Sequence, residues 1–404
     1  MQNPAKVVGS TLILIGTAIG AGMLALPMVS AKASFIPAST LMIAIWALMG
    51  ITALLILEVN LTLEPYKNSL QSMARKTLGR GGQIITWLVC LALLYSLTAA
   101  YISGNTSLLA EAIQALFNRQ LPDAAISIIF TLIFGSIVCY STRAVDVINR
   151  GLMTVKAAAL LLVLVLLTPH INPQNFVPTN QHHFSALWLA APIFLTAFGF
   201  HTVIPSITNY IGKDVRIMRK IIIFGTSIPL VIYLLWLACT LGIVPLTGNN
   251  SFALIAKAHG SVGNLVASLD AIVHNKWVSI GVNGFSDIAM TTSFLGVTLG
   301  LFDFLADGCK RANNRSGRLQ TAALTFIPPL IFALYYPQGF ILALGYASIF
   351  VAILLVIIPA LMAYKLRQQP EISSSYRVFG GTPLLVLIIV IGILLITIQV
   401  WQSF

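Results

Sequence analysis

Two short stretches of this chain interrupt otherwise apolar sequence with residues that disfavour a continuous helix: Gly20-Ala21-Gly22 with Pro27, and Phe198-Gly199-Phe200-His201 with Pro205. A helix broken in a low-dielectric setting leaves N–H groups at the start of one half and carbonyls at the end of the other, and these need partners. The N–H end attracts a carboxylate and the carbonyl end an ammonium or a metal cation, so a zwitterion satisfies both. Either stretch alone reads equally well as helix-packing glycine, which is frequent in apolar helices. Two in corresponding places favour a binding site. Thr17, Gly20, Ala21, Gly22 and Met23 would then present donors to a carboxylate, and Phe198, Gly199 and Phe200 would supply carbonyls and an aromatic wall.

Titratable residues inside apolar runs are the second signal. His201, within the second break, could hydrogen-bond a phenolic hydroxyl, relay a proton, or serve as a satisfied structural histidine. Lys156 lies six residues, roughly 9 Å at helical rise, beyond Arg150; it could extend its ammonium back to the interface or act within the membrane. Asp287 lies about 16 Å into its run from Lys276, near mid-membrane, where a carboxylate carries protons, pairs with a base or hydrogen-bonds a neighbouring helix. Tyr95, Thr98 and Tyr101 share an arc of about 120° on a helix, a platform for an aromatic ligand or a packing face.

The elements that must position these residues are membrane spans. Of 404 residues, 58% are hydrophobic and 8% charged; a soluble domain carries roughly 25% charged residues. Apolar runs long enough to cross about 30 Å of hydrocarbon recur throughout, near 7-29, 36-63, 84-116, 122-141, 150-168, 186-211, 218-243, 276-307, 318-336, 339-364 and 381-402. The run after Lys6 superficially resembles a signal peptide but continues to Pro27, so it is read as a retained first span. Spans 3 and 8 are too long for a perpendicular crossing and should tilt or project.

The net charge of +12 is spread over the short gaps between spans, which argues for topology rather than nucleic-acid binding. Eighteen Lys and Arg fall in the loops of one side, four (Lys32, Arg119, Lys257 and Lys276) in those of the other, with Lys156 inside a span. Cytoplasmic loops carry the excess, which places the N-terminus inside and, with eleven spans, the C-terminus outside. Cys90, Cys139, Cys239 and Cys309 occur singly, so neither a metal site nor a disulfide framework is indicated, and no cofactor is expected.

Spans 1 and 6 correspond if spans 1–5 and 6–10 are repeats. Five is odd, so the second repeat enters from the opposite side and is inverted. The expected organisation is therefore 1-168 for the first five-helix repeat, 169-364 for the second, and 365-404 for a loop and an added eleventh helix, with no separate soluble domain.

The stretch Gly16-Thr17-Ala18-Ile19-Gly20-Ala21-Gly22-Met23-Leu24-Ala25-Leu26-Pro27 resembles the first-helix motif of the hydroxy and aromatic amino acid permeases, within the amino acid/polyamine/organocation superfamily. Leu97–Gly104, Phe198–His201, Thr292–Gly296 with Gly300-Leu301-Phe302-Asp303, and Gly317–Thr321 resemble the tyrosine permeases of that family. The resemblance covers almost the whole chain and implies an all-α integral membrane protein of the LeuT-type fold, with broken helices 1 and 6. It also implies uptake of tyrosine, or of tryptophan as in close relatives, coupled to protons across a bacterial cytoplasmic membrane. Some proton-coupled permeases of the superfamily use a lysine on the fifth helix where sodium-coupled relatives bind a cation. Lys156 would be that lysine, with Thr291, Thr292 and Ser293 on span 8 as neighbouring hydroxyls. The expected partners are the amino acid, protons and lipid; the loops are mute on protein partners. Sodium coupling, a hydroxy-amino-acid or tryptophan substrate, a passive channel and a transporter-like sensor are the alternatives; no constellation of nucleophile, base and orienting group suggests an enzyme.

Overall fold

A computed structural model describes residues 4–140, 142–176, 183–257, 260–311, 314–369 and 374–402, and all regular elements among them are helices. Ten are long and apolar enough to cross a bilayer, and the bent pair Pro4–Ala18 with Ala21–Ala33 makes an eleventh when taken as one span. In chain order that pair is span 1, followed by Phe35–Asn60 (span 2), Leu70–Phe117 (span 3), Asp123–Tyr140 (span 4), Ile148–His170 (span 5) and Ala186–Ile211 (span 6). Val215–Ile243 (span 7), Lys276–Gly308 (span 8), Arg315–Tyr335 (span 9), Phe340–Arg367 (span 10) and Gly381–Gln402 (span 11) complete the set.

Hydropathy finds these helices because each must bury its backbone polar groups internally, and an apolar helix does so. The largest difference from expectation is in span 3, whose helix begins at Leu70 rather than near residue 84. Its first two turns bury Leu70, Met73, Ala74 and Thr77 on one face, an amphipathic pattern that mean hydropathy does not register. Gly79, at φ 77°, kinks the chain between that segment and the spanning part. The long connection between spans 7 and 8 also contains helices, Phe252–Lys257 and Val262–Val273.

Span 5 packs along span 8, span 3 against spans 8 and 10, and span 2 against spans 6 and 7. The first half of span 1 lies on span 7, where a Cβ at Gly225 would come 3.0 Å from Leu14. Close approach through small residues is how membrane helices gain packing contacts without a hydrophobic drive between them. The core meets around the two breaks: Leu14, Met23, Leu24, Phe194, Phe198, Phe200, Tyr233, Trp236 and Phe285 are fully buried. Outward-facing Leu12, Ile129, Leu132, Leu161, Val165 and Ile393 form an exposed apolar surface of the kind that meets lipid acyl chains.

Candidate functional site

Span 1 bends by 47° at its break. The first half ends at Ala18, Gly20 is extended, and a tight helical turn, Ala21–Leu24, leads into Leu26–Ser30 with Pro27 in its first turn. Span 6 repeats the pattern. Its first half ends at Ala197, Phe198-Gly199-Phe200 is not helical, and a short turn from His201 to Val203 leads into Ile204–Ile211 with Pro205 near its start. Proline suits both restarts because the first-turn N–H has no intrahelical acceptor to lose. The breaks face each other: a Cβ on Gly22 would lie 3.8 Å from the Cα of Ala197.

Backbone groups freed by the breaks find partners on other spans. The Ala18 carbonyl accepts from the Tyr233 hydroxyl at 2.6 Å, and the same hydroxyl lies 3.0 Å from the carbonyl of Ala197. The next carbonyl of span 1, that of Ile19, accepts from the Lys156 Nζ at 2.8 Å. The Ala21 N–H donates to the Ser293 Oγ of span 8 at 2.9 Å. The N–H groups of Gly20 and Gly22 find no acceptor among the described residues. Three side chains from spans 5, 7 and 8 thus converge on Ala18, Ile19 and Ala21 of span 1, leaving the amide donors of Gly20 and Gly22 unoccupied beside them.

Lys156 therefore points into the bundle and is 4% exposed, so it does not reach back to an interface. His201 is fully buried, with Nε2 2.9 Å from the Thr52 Oγ1 of span 2, its ring stacked on Phe200, and Nδ1 without a partner. Tyr101 is buried on span 3. Met23, Phe198 and Phe200 are buried at the breaks, and Phe198 meets Tyr233 edge-on at 5.2 Å between ring centroids.

Other expected residues lie apart from this cluster or bond elsewhere. Thr17 is exposed and donates to the Ile13 carbonyl of its own helix. Tyr95 donates to the Leu324 carbonyl of span 9 at 2.7 Å. Thr98 and Thr292 are buried but bond their own helices, at Leu94 and Ala289, as hydroxyls in apolar helices commonly do. Thr291 reaches Asn105 of span 3 at 3.4 Å. Asp287 is half-buried and has no hydrogen-bond or ion-pair partner among the described residues. Tyr233 and Thr52 were not anticipated, because a tyrosine or threonine in an unbroken apolar span carries no local signal.

Polar groups mark both ends of the bundle. At the Lys32 end a cavity of about 1140 Å³ opens between Met28, Val29, Ile193, Tyr336, Gly345 and Gln399; none of the expected site residues lines it. At the Lys6 end Asn68 and Asn209 exchange paired amide hydrogen bonds at 3.1 Å, Asn60 joins them at 3.3 Å, and Lys213 caps the Leu61 and Leu63 carbonyls. Beside them Arg367 grips Glu58 at 2.8 and 2.7 Å, and the Val378 N–H adds a third bond to the carboxylate. Glu58, near the end of span 2, is thus buried and paired.

Eleven apolar spans among the described residues, with the bent pair taken as one and two spans broken against each other at the core, define a multi-pass membrane protein. Residues 3–399 match the tryptophan/tyrosine permease family, and the chain belongs to that family. It is 40% identical to tyrosine-specific transport system 1 of Haemophilus influenzae, over 97% of this chain and 96% of that protein. Tyrosine-specific transport system 2 of the same organism is 38% identical over the same shares, and a tryptophan-specific transport protein of Pseudomonas aeruginosa is 36% identical over 97% and 94%. Family and relatives are transporters, so the chain is a permease and not an enzyme.

Proposed function

We propose that this permease imports an aromatic amino acid, tyrosine first, together with protons across the bacterial cytoplasmic membrane by alternating access. The observation that carries the coupling is the Lys156 ammonium on the Ile19 carbonyl, one residue from the break. A charge gained or lost there alters the field at the amides that would receive the substrate carboxylate, and both an ammonium and an amine can donate to the carbonyl. The relatives named for tyrosine transport support the substrate. The unoccupied Gly20 and Gly22 N–H groups receive the carboxylate, carbonyls of the span 6 break receive the ammonium, and Tyr101, Phe198 and Phe200 form the aromatic wall. Asp287 is a second protonatable group on the path.

The architecture belongs to the same reading: repeats 1-168 and 169-364 related by inversion in the LeuT manner, 365-404 added, the N-terminus inside and the C-terminus outside. The cavity at the Lys32 end is then the external vestibule, and the asparagine cluster at the Lys6 end closes the cytoplasmic exit. Uptake of labelled tyrosine into proteoliposomes tests it, with inward proton and sodium gradients imposed separately and tryptophan, phenylalanine and serine as competitors. Accumulation under the proton gradient alone, inhibited best by aromatics, is expected. Accumulation requiring sodium, or binding without accumulation, overturns the proposal.

A further inference from the structure

We infer that Tyr233 is the positioning residue that holds the two helix breaks at a fixed separation, so that both halves of a zwitterionic substrate meet their backbone partners at once. The inference rests on the binding site proposed above and adds to it a residue that no break motif contains.

Ala18 and Ala197 are the last helical residues of the first halves of spans 1 and 6. Their carbonyls sit at half-helix C-termini, where the partial negative charge of the helix concentrates. Tyr233 is fully buried between them, and its hydroxyl lies 2.6 Å from one oxygen and 3.0 Å from the other. A phenol has one proton, so the two carbonyls share it in a three-centre bond whose strength depends on both distances together. If either half-helix moves, the shared bond weakens. The ring is fixed too, by the edge-on contact with Phe198 inside the span 6 break. Tyr233 therefore reads the position of both breaks through its hydroxyl and of the span 6 break through its ring. Trp236, one turn along span 7, is as buried but leaves its indole N–H unpartnered, so it packs without bridging.

The test is the dissociation constant for labelled tyrosine in the purified full-length protein, normalised to the monodisperse folded fraction. Tyr233→Phe is expected to weaken binding by about tenfold or more, the scale of a buried hydrogen bond lost from two acceptors. Trp236→Phe is expected to leave the constant unchanged even where it lowers the yield. As a chemical rescue, p-aminophenylalanine at position 233 keeps the ring and offers two N–H bonds, one for each carbonyl, and should restore wild-type affinity; this arm stands even if Tyr233→Phe cannot be recovered folded. Unchanged affinity in Tyr233→Phe, or an aminophenylalanine protein that folds yet binds tyrosine tenfold more weakly than wild type, overturns the inference. Wild-type protein that binds no tyrosine instead refutes the site proposal on which it rests.

Discussion

The Lys156 ammonium donates to the carbonyl of Ile19 at 2.8 Å, joining span 5 to the break in span 1 across 137 positions of sequence. A cation inside an apolar bundle is costly unless it has a task, and here it occupies a carbonyl that the break sets free. Its nearest alternative role, anchoring at the membrane surface, is inconsistent with its burial.

Replacing Lys156 with Met should therefore abolish proton-driven accumulation while leaving exchange of tyrosine across proteoliposomes in place. Methionine fills a similar volume and removes the cost of burying a charge, but it leaves the Ile19 carbonyl without its donor; the two effects oppose each other, so the melting temperature should change little. Lost accumulation with retained exchange identifies a coupling role. Lost exchange and a lower melting temperature together would identify a structural one.

Gly20 and Gly22 should differ in their tolerance of a methyl group. A Cβ on Gly20 would lie 3.2 Å from the Ser293 Oγ, the atom that accepts from the Ala21 N–H, whereas one on Gly22 meets Ala197 at an ordinary 3.8 Å. Gly20→Ala is expected to displace that hydroxyl and raise the KM for tyrosine by roughly five- to tenfold, the scale of one hydrogen bond. Gly22→Ala should change it less. Equal effects in an uptake assay would show that the Ser293 contact does not shape the break.

Two ion pairs at the Lys6 end should behave in opposite ways. Glu58 and Arg367 are buried together, so Glu58→Gln leaves a buried guanidinium unpaired and should cost about 3–5 kcal/mol, read as a large fall in melting temperature, with the double variant Glu58→Gln, Arg367→Gln recovering part of it. Glu64 and Lys67 form an exposed pair at 2.9 Å. The hydrogen bond from Lys67, and then its charge, holds the Glu64 carboxyl below the usual carboxylate range. The contribution of that pair is present above the unfolded-state range and fades as pH falls through the lower folded-state value, and salt screens it. Glu64→Gln should leave the melting temperature unchanged at physiological salt; a fall matching that of Glu58→Gln would contradict the distinction.

The spans were legible because hydropathy reports directly on lipid contact, and the breaks because glycine and proline mark helix ends locally. Legibility failed where the decisive neighbour is far away in sequence. Tyr233 looks like any packing aromatic until Ala18 and Ala197 converge on it, 215 and 36 positions distant. Glu58 resembles a headgroup-level acid until Arg367, 309 positions on, covers it. Tyr95 and Tyr101 share a helical arc, but the arc is wide enough for one to bond span 9 while the other is buried in the bundle. Span 3 began earlier than hydropathy indicates because an amphipathic turn buries only one face.

His201 offers the sharpest test of substrate choice. Its Nε2 is engaged by Thr52 at 2.9 Å, and its Nδ1 is buried without a partner. A buried polar atom left open is costly, and a phenolic hydroxyl in the neighbouring site would satisfy it. If the histidine meets the substrate hydroxyl, His201→Leu should weaken tyrosine binding by about tenfold, one hydrogen bond's worth, while phenylalanine, which has no hydroxyl to lose, binds as before. Competition of both amino acids against labelled tryptophan measures the two constants in one assay. Equal weakening of tyrosine and phenylalanine would place His201 among the residues that shape span 6 through Thr52, and Thr52→Val should then reproduce it. A selective loss of tyrosine, with Thr52→Val nearly silent, would assign the recognition of the phenol to Nδ1.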